Sequence, residues 1–118
     1  MRKTITIGTR EVDLASNAAT AILYKQTFHE DLLKVVSNLS TAAEDVLVAV
    51  EAVQRLAFVM NKQATEPFSN LIGKLTEEQF IMWLTEFEES DFQTPEVLAG
   101  VLAIWNKNFQ SASDAKNL

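Results

Sequence analysis

The alternation of apolar and polar side chains over residues 3–14 is the feature that most constrains the fold. Its apolar positions are Ile5, Ile7, Val12 and Leu14, and each is flanked by polar side chains. A period of two is typical of strands with one buried face. Between the two halves, Gly8 and Thr9 fit a two-residue type II′ turn, whose first residue needs a positive φ. We therefore expect a β-hairpin over about residues 3–14 in which Ile5 pairs with Val12.

The rest of the sequence predicts helices, and the hairpin needs them because an isolated hairpin is marginally stable in water. Helical periodicity predicts four to five helices, at about 18–28, 31–38, 42–63, 77–88 and 95–109. In the first, Ile22, Tyr24 and Phe28 are the expected packing residues, and the segment His29-Glu30-Asp31 predicts a break or bend. The predicted class is α+β, mostly α: an N-terminal hairpin followed by a helical bundle.

Three helix starts carry a capping signature. Residues 41–44 (TAAE) and 76–79 (TEEQ) match the capping box, in which Thr and Glu or Gln side chains satisfy backbone N–H groups. Before the last helix, Thr94 is the expected N-cap and Pro95 occupies the first helical position, where a missing N–H has no cost.

The 42–63 helix is predicted to be the most buried element, because only a narrow stripe of it is polar. Glu44, Glu51, Arg55 and Lys62 form that stripe. Such a helix is either the centre of the domain or buried on two sides, one of them a subunit contact. The following loop, over 65–74, is expected to tuck in Phe68, Leu71 and Ile72.

The length of 118 residues fits one domain, predicted over 1–110, followed by a flexible polar tail at 111–118. The chain has no cysteine, so disulfides and thiolate metal sites are excluded. Its net charge is -6 and its basic residues are scattered, which disfavours nucleic acid and anionic membrane as partners. No apolar stretch approaches the roughly 20 residues that span a bilayer, and no signal peptide is expected.

No pattern in the sequence indicates catalysis. His29 is the only histidine, and nucleotide-binding and metal-binding motifs are absent. We expect a solvated His29 and no catalytic residue, cofactor or metal. The carboxylates at Glu86, Glu88, Glu89 and Asp91 form either a solvated helix end or a surface for a basic partner, with a metal site as a minor alternative.

Binding to other proteins is the remaining class of function. The candidate contact residues for partners or for self-association are aromatic, acidic or small: Phe58, Met60, Trp83, Phe87, Glu88, Glu89, Asp91, Ala99, Gly100 and Ala103. The face of Ala99, Gly100 and Ala103 would let another helix approach closely.

The first forty residues also carry an ordered series of motifs. They read KTITIGTREVDL over 3–14, AAT over 18–20, YKQTF over 24–28 and DLLK over 31–34. This series resembles the tail assembly chaperones of long-tailed, siphovirus-type phages and prophages of Gram-positive bacteria. Two departures are Gly8-Thr9, where Asn-Gly is commoner, and His29-Glu30, where a glycine often marks the break. Beyond residue 40 the likeness is only architectural.

The resemblance implies a function. Such chaperones bind the tape measure protein in the host cytoplasm, help recruit the tail tube (major tail) protein, tend to self-associate, and are absent from the finished virion. Many are made in two forms through a ribosomal frameshift, and this chain would be the short form. Two alternatives stay open: a small acidic inhibitor or DNA mimic, and a structural head–tail connector component.

Overall fold

The computed structural model describes the backbone of residues 1–35 and 46–116, and the side chains of 1–35 and 50–105. In chain order the elements are strands β1 (Arg2–Ile7) and β2 (Arg10–Ala15), then helices α1 (Thr20–Phe28), α2 (Val46–Thr65), α3 (Glu77–Leu84) and α4 (Pro95–Lys116). Short 3-10 helices cover Phe68–Asn70 and Glu89–Phe92, and residues 32–35 are helical. The class is α+β, mostly α, as predicted.

Within the described ranges, no helix is both long enough and apolar enough to cross a membrane.

The N-terminal hairpin has the predicted register. β1 and β2 are antiparallel, with Ile5 opposite Val12 and Ile7 opposite Arg10. Gly8 has a φ of 66°, whereas Thr9 does not have a positive φ, which is the pattern of a type II′ turn. Ile7, Val12 and Leu14 are buried, so the apolar face of the hairpin lies on the helices.

Helix α2 lies at the centre of the domain, as in the first of the two interpretations of its apolar surface, and a subunit contact on it stays a prediction. It packs against β2, α1, α3 and α4. The five consecutive residues 56–60 are all buried, so this part of the helix is covered on every side. Residues 36–45, which include the predicted start of α2 and the capping box at 41–44, lie outside the described residues.

A chain of aromatic rings runs through the core and connects α1, α2, α3 and the second 3-10 helix. Its members are Tyr24, Phe28, Phe58, Phe80, Trp83, Phe87 and Phe92. Neighbouring centroids lie between 4.9 and 6.4 Å apart, and the rings are tilted or edge-on, which is the favourable geometry for aromatic pairs.

Two of the predicted helix starts are confirmed. At α3, Gln79 N donates to Thr76 Oγ1 at 3.1 Å and Thr76 N donates to Gln79 Oε1 at 3.2 Å, which is a complete capping box. At α4, Val97 N donates to Thr94 Oγ1 at 3.3 Å, so Thr94 is the N-cap before Pro95.

The break after α1 is confirmed, but one packing residue of that helix was wrong. His29 ends α1 in the left-handed conformation, with a φ of 59°. The buried stripe is Thr20, Leu23, Tyr24, Thr27 and Phe28, which has helical spacing. Ile22 lies off this stripe and is 60% exposed.

The loop after α2 is less buried than predicted. Leu71 is buried, but Phe68 and Ile72 are exposed. The 3-10 turn over Phe68–Asn70 directs only one of the three apolar side chains inward.

The ends of the last two helices also differ from prediction. α3 ends at Leu84 rather than near residue 88, because the next amides bond to carbonyls three residues back: Glu86 N to Trp83 O at 3.2 Å and Phe87 N to Leu84 O at 3.1 Å. This tighter turn brings Phe87 back onto Trp83. α4 extends to Lys116 rather than ending near 109. The mobility of the 111–118 segment stays a prediction.

Candidate functional site

The described residues contain no cluster that suggests chemistry at a metal. No group of three or more His, Asp or Glu side chains in this part of the chain is placed to hold a metal ion. His29 is exposed at the end of α1. The candidate sites in the described residues are therefore surfaces that could bind another molecule.

A groove of about 720 Å³ lies between the C-terminal end of α2 and α3. We call it the α2–α3 groove. It is lined by Lys62, Glu66, Asn70, Leu71, Leu75, Thr76, Glu78, Gln79, Met82, Trp83 and Glu86. The residues from α3 recur every three or four positions, so one face of that short helix forms one wall.

Local sequence signals explain why the groove forms. α2 ends at Thr65, and Pro67 prevents its continuation. The chain then turns at Gly73, whose φ of 65° suits glycine, and the capping box at Thr76 starts α3. The connection covers residues 66–76, and its Leu71 is buried in the core.

The floor of the groove is apolar and firmly positioned. Trp83 is 7% exposed, and its Nε1 donates to Asn61 Oδ1 at 3.1 Å. Asn61 Nδ2 in turn donates to the backbone oxygen of Asp13 at 2.9 Å, so α3, α2 and β2 are linked through one amide side chain. Met82 stands beside Trp83 and is 66% exposed.

The rim of the groove is acidic. Three of the lining residues are acidic, namely Glu66, Glu78 and Glu86. One lining residue, Lys62, is basic. Lys62 Nζ lies 5.8 Å from the centroid of the Phe58 ring, a cation–π distance. In the described part of the chain, Glu78 has no ion-pair partner.

A smaller hollow of about 270 Å³ extends the groove toward the hairpin. It shares Lys62, Trp83 and Glu86 with the groove. Its further lining residues from β2 are Arg10, Glu11, Val12 and Asp13. The residues that β2 adds to this hollow are also mainly acidic, because Glu11 and Asp13 outnumber Arg10. The guanidinium of Arg10 is paired with Glu86.

The predicted acidic cluster is partly used within the fold. Arg10 Nη1 lies 3.3 Å from Glu86 Oε1, and its guanidinium lies 5.5 Å from the centroid of the Phe87 ring. Asp91 Oδ2 accepts a hydrogen bond from Glu88 N at 2.9 Å, and the Asp91 carboxylate rests against Gly8 of the hairpin turn. Glu88 and Glu89 are exposed.

The structure separates the predicted contact residues into core and surface. Phe58 and Met60 are fully buried, so both were wrong as surface contacts: they lie in the part of α2 that other elements cover on every side. Trp83 is nearly buried and forms the groove floor, and Phe87 is half-buried against it. Ala99 and Ala103 are exposed on α4, whereas Gly100 is half-buried, with a position for a β-carbon 3.8 Å from Ile5 Cδ1.

Sequence reasoning missed two exposed apolar residues on α3. Ile81 is 60% exposed and Met82 is 66% exposed. A signal was present: Phe80, Trp83 and Leu84 already occupy the inward stripe of this helix, so the two residues between them face away from the core. Large apolar residues left outside such a stripe indicate a binding surface.

Comparisons with protein-family models, curated proteins and solved structures gave no match to the chain. They neither support nor oppose the resemblance of the first forty residues to tail assembly chaperones.

Proposed function

We propose that the protein is a tail assembly chaperone of a long-tailed phage or prophage of a Gram-positive bacterium. In this proposal it binds the tape measure protein in the cytoplasm of the infected or lysogenic host and helps recruit tail tube protein. It is absent from the mature virion. The observation that carries the proposal is the α2–α3 groove, in which the exposed side chain of Met82 lies beside Trp83, taken with the motif series at the N-terminus.

The groove suits a helical client. A tape measure protein is long and mostly helical, and its apolar stripes would aggregate if they stayed exposed. An amphipathic helix binds a groove through residues at i, i+3 or i+4, and i+7. Met82 is well placed for such contacts, because methionine is flexible and adapts to different apolar partners.

Many copies on one client would hold it without tight binding at each site. Linked sites raise the effective concentration of each contact, so modest affinity per copy is sufficient and release stays possible. Self-association of the chaperone would add to this effect. The exposed face of Ala99 and Ala103 remains a candidate for that contact.

Co-expression with the neighbouring tape measure and tail tube proteins tests the proposal. We expect a tagged copy of this protein to purify with one or both, and to keep the tape measure protein soluble. Failure to form a complex with either would overturn the proposal.

Analysis of purified phage particles distinguishes the alternatives. A chaperone should be missing from them by mass spectrometry, whereas a head–tail connector component should be present in fixed number. An acidic inhibitor or DNA mimic would instead bind a nucleic-acid-binding protein, with an affinity that collapses as salt rises.

A further inference from the structure

We propose that the α2–α3 groove binds one kind of segment: an amphipathic helix whose apolar stripe is flanked by Lys or Arg. This inference deepens the proposed function. It rests on that function for the identity of the client, whereas the chemistry of the contact is argued from the groove itself.

The size of the groove sets how much helix it can hold. A helix is about 10–12 Å wide and rises about 5.4 Å per turn, so two turns sunk to half their width fill roughly 500 Å³. The groove measures about 720 Å³. It therefore has room for between two and three turns, whose apolar side chains would meet the exposed Met82 and the half-buried Leu75.

The charges around the groove select the flanks of that helix. Three carboxylates and one ammonium group line the groove, and the adjoining hollow adds the carboxylates of Glu11 and Asp13 and the guanidinium of Arg10, so carboxylates stay in the majority. Of the groove carboxylates, Glu86 is paired with Arg10, and Glu66 Oε2 accepts a hydrogen bond from Asn70 Nδ2 at 3.2 Å. Glu78, beside Met82 on the same wall, is left to meet a cation brought by the partner. A helix with acidic flanks would be repelled.

A second copy of this chain is a poorer occupant by the same argument. The chain has 16 acidic and 10 basic residues. Two acidic rims would then face mostly acidic surfaces, and like charges across an interface oppose association.

The first test uses two designed peptides and the full chain. Each peptide is a helix of about 18 residues, or about five turns, with leucines at i, i+3, i+4 and i+7. One carries Lys and Arg beside the leucines, and its twin carries Glu at those positions. Fluorescence anisotropy measures each Kd at low and at moderate salt. We expect the basic peptide to bind at least about tenfold more tightly than its twin, by a margin that shrinks as salt rises. Equal binding of the two would overturn the inference.

Neighbouring residues on α3 supply matched controls for the site. Met82→Asn removes an apolar side chain of the groove without changing its charge, whereas Ile81→Asn makes the same kind of change at a similarly exposed position outside it. Glu78→Lys reverses a rim charge, whereas Glu77→Lys makes the same change in the same first helical turn but outside the groove. We expect each groove variant to weaken binding of the basic peptide about tenfold or more, and each control to change it less than about twofold.

Other outcomes identify a different occupant or a different surface. If Met82→Asn lowers the mass of the protein in sedimentation and Ile81→Asn does not, the groove binds a second copy and the inference is wrong. If the tape measure protein binds all four variants equally, the inference fails while the proposed function stands. If the basic peptide binds in the groove but no tape measure protein binds, the function fails while the chemistry of the groove stands.

Discussion

Two glycines have the same φ in very different surroundings, and they test how the hairpin turn is held. Gly8 has a φ of 66° and Gly73 a φ of 65°. A β-carbon at Gly8 would overlap the carboxylate of Asp91, whereas one at Gly73 would meet no atom within 4 Å. We expect Gly73→Ala to lower the free energy of unfolding by about 1 kcal/mol and Gly8→Ala to lower it by about 2–4 kcal/mol, measured by urea denaturation.

A double-mutant cycle separates the clash from the backbone strain at Gly8. The type II′ turn makes its own demand on this residue, and that demand does not depend on Asp91. The cost of Gly8→Ala should therefore shrink by about 1 kcal/mol or more when Asp91→Ala is also present. An unchanged cost would mean that the carboxylate moves aside freely.

The single tyrosine makes the stability of the protein depend on pH in alkaline solution. Burial, and then the nearby Glu30 carboxylate, raise the pKa of Tyr24 from 10.0 to about 12. The unfolded chain loses this proton at lower pH than the folded one, so the contribution is complete below pH 10 and is lost as pH rises toward 12. We expect the free energy of unfolding to fall by about 1–3 kcal/mol across this window, followed by urea denaturation at several pH values.

Tyr24→Phe is the matched variant for that measurement. It keeps the ring that packs on Phe28 at 5.1 Å and removes the ionising group. The alkaline slope of stability should flatten in this variant. A slope equal to that of the unaltered protein would show that Tyr24 is not its source.

At the scale of elements, the end of α1 is set by a residue poorly suited to its conformation. His29 adopts the left-handed region at the helix end, and its amide donates to Lys25 O at 2.8 Å. Glycine adopts this conformation without steric cost. We expect His29→Gly to raise the free energy of unfolding by about 0.5–1 kcal/mol, and His29→Ala to bring no gain, as measured by thermal and urea denaturation. Destabilisation by His29→Gly would show that the imidazole makes a stabilising contact.

The sequence predicted those features of the elements that depend on neighbouring residues. It missed the features that depend on contacts between residues far apart in the chain. The hairpin register follows from alternation and one glycine, and the cap at Thr76 follows from four consecutive residues. The early end of α3 depends instead on Phe87 packing against Trp83, and on Arg10, some seventy residues earlier in the chain. No pattern within α3 records those contacts.

The candidate site was predicted even less completely, for the same reason. Trp83 was named, but as an aromatic residue and not as the floor of a groove. The α2–α3 groove is lined by residues of two helices and of the loop between them, and a space between elements has no sequence period. The sequence did contain one indication of the groove: Phe80, Trp83 and Leu84 fill the inward stripe of α3, so Met82 must lie outside that stripe.

At the scale of the whole molecule, the hairpin connects elements that are far apart in sequence. Asn61 of α2 donates to its backbone at Asp13, and Gly100 of α4 packs against Ile5. Directly after β2, Ser16 Oγ donates to Ile104 O of α4 at 3.0 Å in a buried position. The hairpin is therefore part of the core and not an arm laid on a finished bundle.

Removal of the hairpin should consequently unfold the protein. Ile7, Val12 and Leu14 are buried, and each such side chain contributes about 1.5–3 kcal/mol, or about 5–9 kcal/mol together. Domains of this size have a total stability of about 5–15 kcal/mol, so a chain that starts at Ser16 should lose most of it. We expect circular dichroism of that truncated chain to show no cooperative thermal transition. The control removes residues 111–118, which include the last turns of α4, and should still leave a cooperative transition. A cooperative transition without the hairpin would mean that the helices form a core of their own.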